Sequence, residues 1–176
     1  FYLTDRDQKI LEYLHQNKVA LREHLHEQFF TGVSVRIVNR RLALLLNHGY
    51  ISRGAISINS RALSYYQITT KGFKNLQKLK QFSTILRTEL SESVEHDLSL
   101  ISVRKVLSLK KRIVEYLTEN MLNCDSTYSE DKKYKYFINL QSDAVCDVKF
   151  SKGNFNLAIE YESHPKANSR YEEKFL

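Results

Sequence analysis

The chain has 176 residues, with 27 Lys+Arg, 20 Asp+Glu and a formal net charge of +7; 42% of it is hydrophobic and 11% aromatic. That composition excludes a disordered chain and allows one large domain or two small ones. The charge is uneven: residues 1–82 hold 13 Lys/Arg and 5 Asp/Glu, a balance of +8, whereas residues 83–176 hold 14 and 15, a balance of −1. A basic module beside a near-neutral one suggests a polyanion binder joined to something else.

The longest apolar run, Leu42 to Leu46, is far short of the roughly 18 residues of a membrane helix. The N-terminus is charged at Asp5, Arg6 and Asp7, so no signal peptide is read and a cytoplasmic location is expected. Cys124 and Cys146 show no CxxC spacing and read as reduced thiols. A chain that starts at Phe1 and stops at Leu176 within a charged stretch reads as a fragment.

Thr4 followed by Asp7 reads as a capping box opening a helix with Ile10, Leu11 and Leu14 on one face and an end near Asn17. Leu21, Leu25, Phe29 and Phe30 mark a second short helix, broken by Gly32. From Ser34 to His48, Val35, Val38, Leu42, Leu45 and Leu46 form an apolar face, with Arg36, Asn39 and Arg40 on another and Arg41 at the edge; Gly49 is a left-handed cap. Three short helices, the last with Arg and Asn toward solvent, form a helix-turn-helix pattern. Tyr50 to Ile58 and Ala62 to Ile68 read as strands around an Asn59-Ser60 turn, a wing bearing Arg53 and Arg61. Thr70 then caps a lysine-studded helix running through Phe82. Arg and Asn donors match base edges in the major groove, and other cations neutralise phosphates. Ser34, Arg36, Asn39, Arg40, Arg53 and Arg61 are therefore the candidate DNA contacts. His24 and His26, at i and i+2, do not share a helix face and suggest no metal.

Residues 83–95 form a polar connector, partly helical around Ile85, Leu86 and Leu90, with no Pro/Gly-rich linker, so the halves are expected to pack together. His96 to Leu117 reads as one long helix and residues 123–133 as loop. Tyr134 to Leu140, Ala144 to Phe150 and Phe155 to Tyr161 read as strands, the last two joined by a Lys152-Gly153-Asn154 turn; Asn168 to Leu176 looks helical. Asp143 precedes the second of these strands; Glu160 and Glu162, at i and i+2 near the end of the third, would project together. Converging carboxylates suit a hard divalent cation such as Mg²⁺ or Mn²⁺, which can activate water at a phosphodiester, and Lys166 could add positive charge there.

The stretches LTDRDQKILEYL, SVRIVNRRLALLLNHGYISR and YYQITTKGFKNL resemble the winged helix of the replication-relaxation family, which includes MobC-type plasmid mobilisation proteins. HDLSLISVRKVL resembles that family's His-led helix, SDAVCDVKF its Pro-Asp-Ala strand entry with Ser142 in place of Pro, and NLAIEYESHPKANSRYEEKF its Glu-x-Glu strand and Arg-Tyr helix. The resemblance implies an α+β chain: a winged helix over residues 1–82, the connector 83–95, and an αβββα restriction-endonuclease-like domain of the PD-(D/E)xK type over 96–176, incomplete at its C-terminus. It implies Asp143 and Glu160 as acidic ligands, with Glu162 where Lys is usual, so that Lys166 or Lys174 would substitute; His96 matches the family's His.

Three functions follow as expectations. The first is a DNA-binding protein of plasmid mobilisation or replication that nicks an origin-type duplex with a metal, working with other mobilisation or replication proteins. The second is a non-catalytic DNA-binding regulator with a degenerate nuclease-like domain used for homodimerisation. The third is a restriction-type endonuclease with a targeting domain.

Overall fold

Thr4 opens the first helix as expected: its hydroxyl accepts the Asp7 amide while its own amide donates to Asp7 Oδ2, closing the capping box. This helix, α1 (Asp5–Asn17), belongs to a computed structural model that describes residues 1–162. A two-residue strand, β1 (Ala20–Leu21), leads into α2 (Arg22–Phe29) and then α3 (Val35–Asn47). Gly49, at φ 70°, takes the left-handed position after α3, and its amide donates to the Leu46 carbonyl. The hairpin of β2 (Ile51–Ile58) and β3 (Arg61–Ile68) follows; its turn residues Asn59 and Ser60 are both left-handed, at φ 49° and 62°, the type I′ geometry that matches strand twist. Strand β1 pairs with β3, giving sheet order β1-β3-β2. Three helices, a short strand between the first two, and a terminal hairpin make the winged helix-turn-helix arrangement.

The next helix, α4 (Thr70–Gln77), is capped by Thr69, not by Thr70: Thr69 is extended and its hydroxyl accepts the Gly72 amide at 3.1 Å. The helix stops at Gln77 and a 3₁₀ turn covers Lys80–Phe82, so the expected continuous helix through Phe82 is broken. The first core is built from Ile10, Leu11 and Leu14 of α1, Leu25 of α2, Val38, Leu42 and Leu45 of α3, and Ile51 and Ile68 of the wing base. Truncating any of the fully buried leucines to Ala would cost about 2–5 kcal/mol. Val35, expected on this apolar face, is 43% exposed, because the first turn of α3 projects past the core.

The connector is not helical. Ile85 is buried in the first core and bridges to Asp125, and the Leu86 amide donates to the Cys124 carbonyl. Helix α5 (Val94–Ser108) also feeds that core through Leu98 and Ile101. It ends well short of Leu117. Tight turns at Lys110 and Ile113 close a run of three cations, and the chain becomes β4 (Ile113–Thr118). Helix α6 (Glu119–Cys124) follows at once, and the expected loop 123–133 holds its last turn, the short helix α7 (Ser126–Ser129) and the start of the next helix. Residues 134–140, read as a strand, lie largely in α8 (Lys132–Asn139). Asp131 caps it, and Tyr134, Phe137 and Ile138 pack at i, i+3 and i+4 on one apolar cluster, so the helical period outweighs the apparent alternation.

Strands β5 (Ala144–Phe150) and β6 (Gly153–Ile159) complete an antiparallel sheet of order β4-β5-β6, with the hairpin at Ser151 and Lys152. One face, with Tyr116, Ala144, Cys146 and Val148, receives Leu107 of α5; the other, with Leu117 and Val145, receives Leu122 and Tyr134. The second half is thus α+β, but three helices separate its first two strands, so it does not follow the αβββα order, and the three antiparallel strands alone do not establish a restriction-endonuclease-like fold. Cys124 and Cys146 are free, buried thiols, each pushed up to about 11 by burial.

Candidate nucleic-acid interface

Helix α3 presents Ser34, Arg36, Asn39 and Arg40 to solvent, on the side opposite Val38, Leu42 and Leu45. Ser34 is the N-cap but makes no capping hydrogen bond with its side chain. Ile37, 53% exposed, adds an apolar group to the same projecting end. Arg41 is not part of this surface set. It turns back onto α1, where its Nε donates to Asp7 Oδ1 at 2.6 Å and its Nη2 donates to Asp7 Oδ2.

The wing sorts its two arginines. Residues paired across an antiparallel ladder share a face, and neighbours along a strand alternate. Arg53 pairs with Tyr66, on the face that also holds Ser64 and Ala62; Arg61 pairs with Ile58, on the face of Ile56, Leu63 and Tyr65. Arg53 and Arg61 therefore leave opposite faces of the hairpin. The Tyr65 ring lies against Gly54, where an added Cβ would come within 2.3 Å of the ring carbon Cζ, so a larger residue there would displace the Tyr65 ring.

Asn39 from α3 and Arg53 from β2 line one groove between recognition helix and wing, together with Arg22, Glu23 and Ser64. Arg22 escaped the sequence reading. It opens α2 and its Nη2 lies 2.5 Å from Glu23 Oε1; only the folding of α2 beside the hairpin brings it to the groove. Arg36, Arg40, Arg53 and Arg61 form no ion pair among the described residues.

The second expected site is organised differently. Asp143 Oδ2 accepts the Tyr161 amide at 2.7 Å and lies 3.4 Å from His96 Nε2. His96 Nδ1 in turn lies 3.5 Å from Asp97 Oδ1. His96, for which the sequence suggests no chemistry, thus ties the start of α5 to the segment after β6. Strand β6 ends at Ile159, so Glu160 and Glu162 lie just beyond it and the strand alternation does not set their direction; both are half-buried. Lys166 and Lys174, like the expected helix 168–176, lie outside the described residues. Among the described residues no group of three or more His, Cys, Asp or Glu side chains is arranged to hold a metal ion. Asp143 thus gives one carboxylate oxygen to the Tyr161 amide, while His96 Nε2 also lies 3.1 Å from the Tyr161 carbonyl.

The two halves are joined at the C-terminal end of α1, whose last carbonyls need partners. Asn120 Nδ2 donates to the His15 carbonyl at 2.7 Å, and Thr118 Oγ1 to the Gln16 carbonyl at 2.7 Å. Arg104 donates to Asn17 Oδ1 and Gln16 Oε1, each at 3.1 Å, and Lys18 pairs with Glu119 at 2.5 Å. Buried His15 meets Thr88 of the connector at 3.0 Å, and burial pulls its pKa down to about 4, the Asp125 carboxylate opposing only part of that shift.

No helix among the described residues is long and apolar enough to cross a membrane. No protein-family model matches the chain, and no curated protein matches it. Among solved structures, Bacillus subtilis PadR in complex with operator DNA aligns over 76% of this chain and 68% of that one, at 16% sequence identity and a TM-score of 0.35. The winged helix is defined by its own topology of three helices, a short strand and a hairpin with sheet order β1-β3-β2.

Proposed function

We propose that this chain binds double-stranded DNA at an operator- or origin-type site, with α3 in the major groove and the wing beside it. The observation that carries the reading is the shared groove of Asn39 and Arg53, flanked by exposed Arg36 and Arg40 that no described carboxylate neutralises. Arg and Asn suit guanine and adenine edges, Ile37 suits a thymine methyl, and the remaining cations suit phosphates. In this reading the second half steadies the winged helix and does not cut DNA, which favours the regulator over the metal-dependent nickase. A second copy of the chain, and other mobilisation or replication proteins, are its proposed partners at such a site.

The test selects bound duplexes from a random library and measures affinity for the selected site by fluorescence anisotropy at several salt concentrations. Site-specific binding that weakens in Arg40→Ala supports the reading; affinity unchanged in Arg36→Ala, Arg40→Ala and Arg53→Ala alike would sink it. The same protein is incubated with supercoiled plasmid carrying the site, with Mg²⁺ or Mn²⁺. Nicking that disappears in Asp143→Ala or Glu160→Ala would restore the mobilisation nickase in place of the regulator.

A further inference from the structure

The near-neutral charge of the second half is not spread over its surface. The turn between α5 and β4 brings Lys110, Lys111 and Arg112 to the end of the sheet where the β5–β6 hairpin carries Lys149 and Lys152. The two stretches touch directly: the Lys149 amide donates to the Arg112 carbonyl at 2.8 Å. Residues 108–113 and 149–156 contain no Asp or Glu, and none of the five cations is in an ion pair among the described residues.

Two aromatic rings stand at the edge of this patch, on the sheet face opposite Lys149 and on the side of Arg112. Phe150 is 42% and Phe155 51% exposed, on the same face of neighbouring strands, with ring centroids 5.5 Å apart in an edge-to-face pair. The Arg112 guanidinium lies over the Phe150 ring, 5.8 Å from its centroid. A solvated charged face has no use for two exposed phenylalanines, and a duplex, whose bases are already stacked, would use only the cations. Exposed rings framed by cations match what an unpaired strand offers: base faces to stack and phosphates to neutralise.

We propose that this tip of the second sheet binds single-stranded DNA, with Phe150 and Phe155 stacking on unpaired bases and Arg112 and the turn lysines holding the backbone. The site is separate from the duplex-reading surface and does not depend on it, but it is placed to serve it. Ser108, at the end of α5, lines the same groove as Thr31 and Gly32 of the turn leading into α3. A duplex opened beside its recognition site could thus offer a strand to the tip.

The experiment uses the full chain and a fluorescein-labelled 20-nucleotide oligothymidine, followed by anisotropy across a salt series. The expected result is saturable binding that weakens on the order of tenfold in Phe155→Ala and in Phe150→Ala, with the salt slope unchanged. In Arg112→Gln/Lys152→Gln both affinity and slope should fall, the slope by about 0.7 per cation. Circular dichroism of each variant confirms folding. Arg40→Ala should leave oligothymidine binding intact while weakening the selected duplex, and Phe155→Ala should do the reverse, which keeps the two readings distinguishable. No binding, binding indifferent to both phenylalanines, or competition by a random duplex as strong as by oligothymidine would each overturn the proposal.

Discussion

Arg41 of α3 grips both carboxylate oxygens of Asp7 of α1, and Asp7 is completely buried. The same carboxylate closes the capping box with Thr4, so one side chain starts the first helix and orients the recognition helix. Burial opposes ionisation of Asp7, but the Arg41 guanidinium and the Thr4 amide and hydroxyl outweigh it and hold its pKa below the ordinary 3.8. The stabilisation is therefore present above about pH 4 and is lost as the pH falls through the lower folded value. Arg41→Met should cost about 3 kcal/mol, near the low end for breaking a buried pair because Arg41 is partly exposed. Urea denaturation at pH 7 checks it; a loss under about 1 kcal/mol would mean that water replaces the guanidinium.

Arg40→Ala should weaken binding to the selected duplex and reduce the log–log salt slope by about 0.9, the contribution of one phosphate. The opposite faces of the wing give a sharper expectation: Arg53→Ala should weaken binding and Arg61→Ala should do so much less. Equal effects from both would place the whole wing tip, and not only its inner face, on DNA.

His15 predicts a second pH limb. Its pKa is lowered by burial from 6.5 to about 4, so between those values the unfolded chain binds the proton and the folded chain does not. Stability from this group is full above pH 6.5 and declines as the pH falls toward 4. Denaturant midpoints at pH 7 and pH 5 should differ in the wild type, and the difference should shrink in His15→Gln, leaving the part due to His24, whose pKa burial also lowers. An identical difference in the variant would assign the limb to another group.

Asn120 is fully buried and caps α1 from the second half. Its replacement by Ala leaves the His15 and Glu89 carbonyls without that donor and should cost about 1–3 kcal/mol. Because these contacts cross between the halves, thermal unfolding of the full chain should remain a single transition that shifts to lower temperature. Two resolved transitions in the wild type would show that the halves unfold independently.

Local chemistry in the sequence was enough to place the first half. A capping box at Thr4 and Asp7, apolar periodicity through Leu45, Gly49 after α3 and the Asn59-Ser60 turn each act over three or four residues, and all four appear where the residues put them. The one-residue shift from Thr70 to Thr69 at the next cap arises because adjacent threonines carry the same hydroxyl and only the fold chooses between them.

The second half was legible mainly in Ala144 to Phe150 and the hairpin that follows, where β-branched and apolar residues run together. Tyr134 to Leu140 alternates well enough for a strand and recurs at i, i+3 and i+4 well enough for a helix; the apolar pocket of Leu117, Leu122 and Val145 settles it as a helix. By itself the sequence determined a basic winged helix, with Arg36, Asn39 and Arg40 on the outside of one helix, because helix periodicity dictates which side chains avoid the core. Only the tertiary structure decided that Arg41 is an internal clamp, that Arg53 and Arg61 part company, that Asp143 holds the Tyr161 amide beside His96, and that Lys110, Lys111 and Arg112 meet the strand end that carries Phe150 and Phe155. Those relationships join residues far apart in the chain, and chain distance carries no information about which ends of a packed sheet meet.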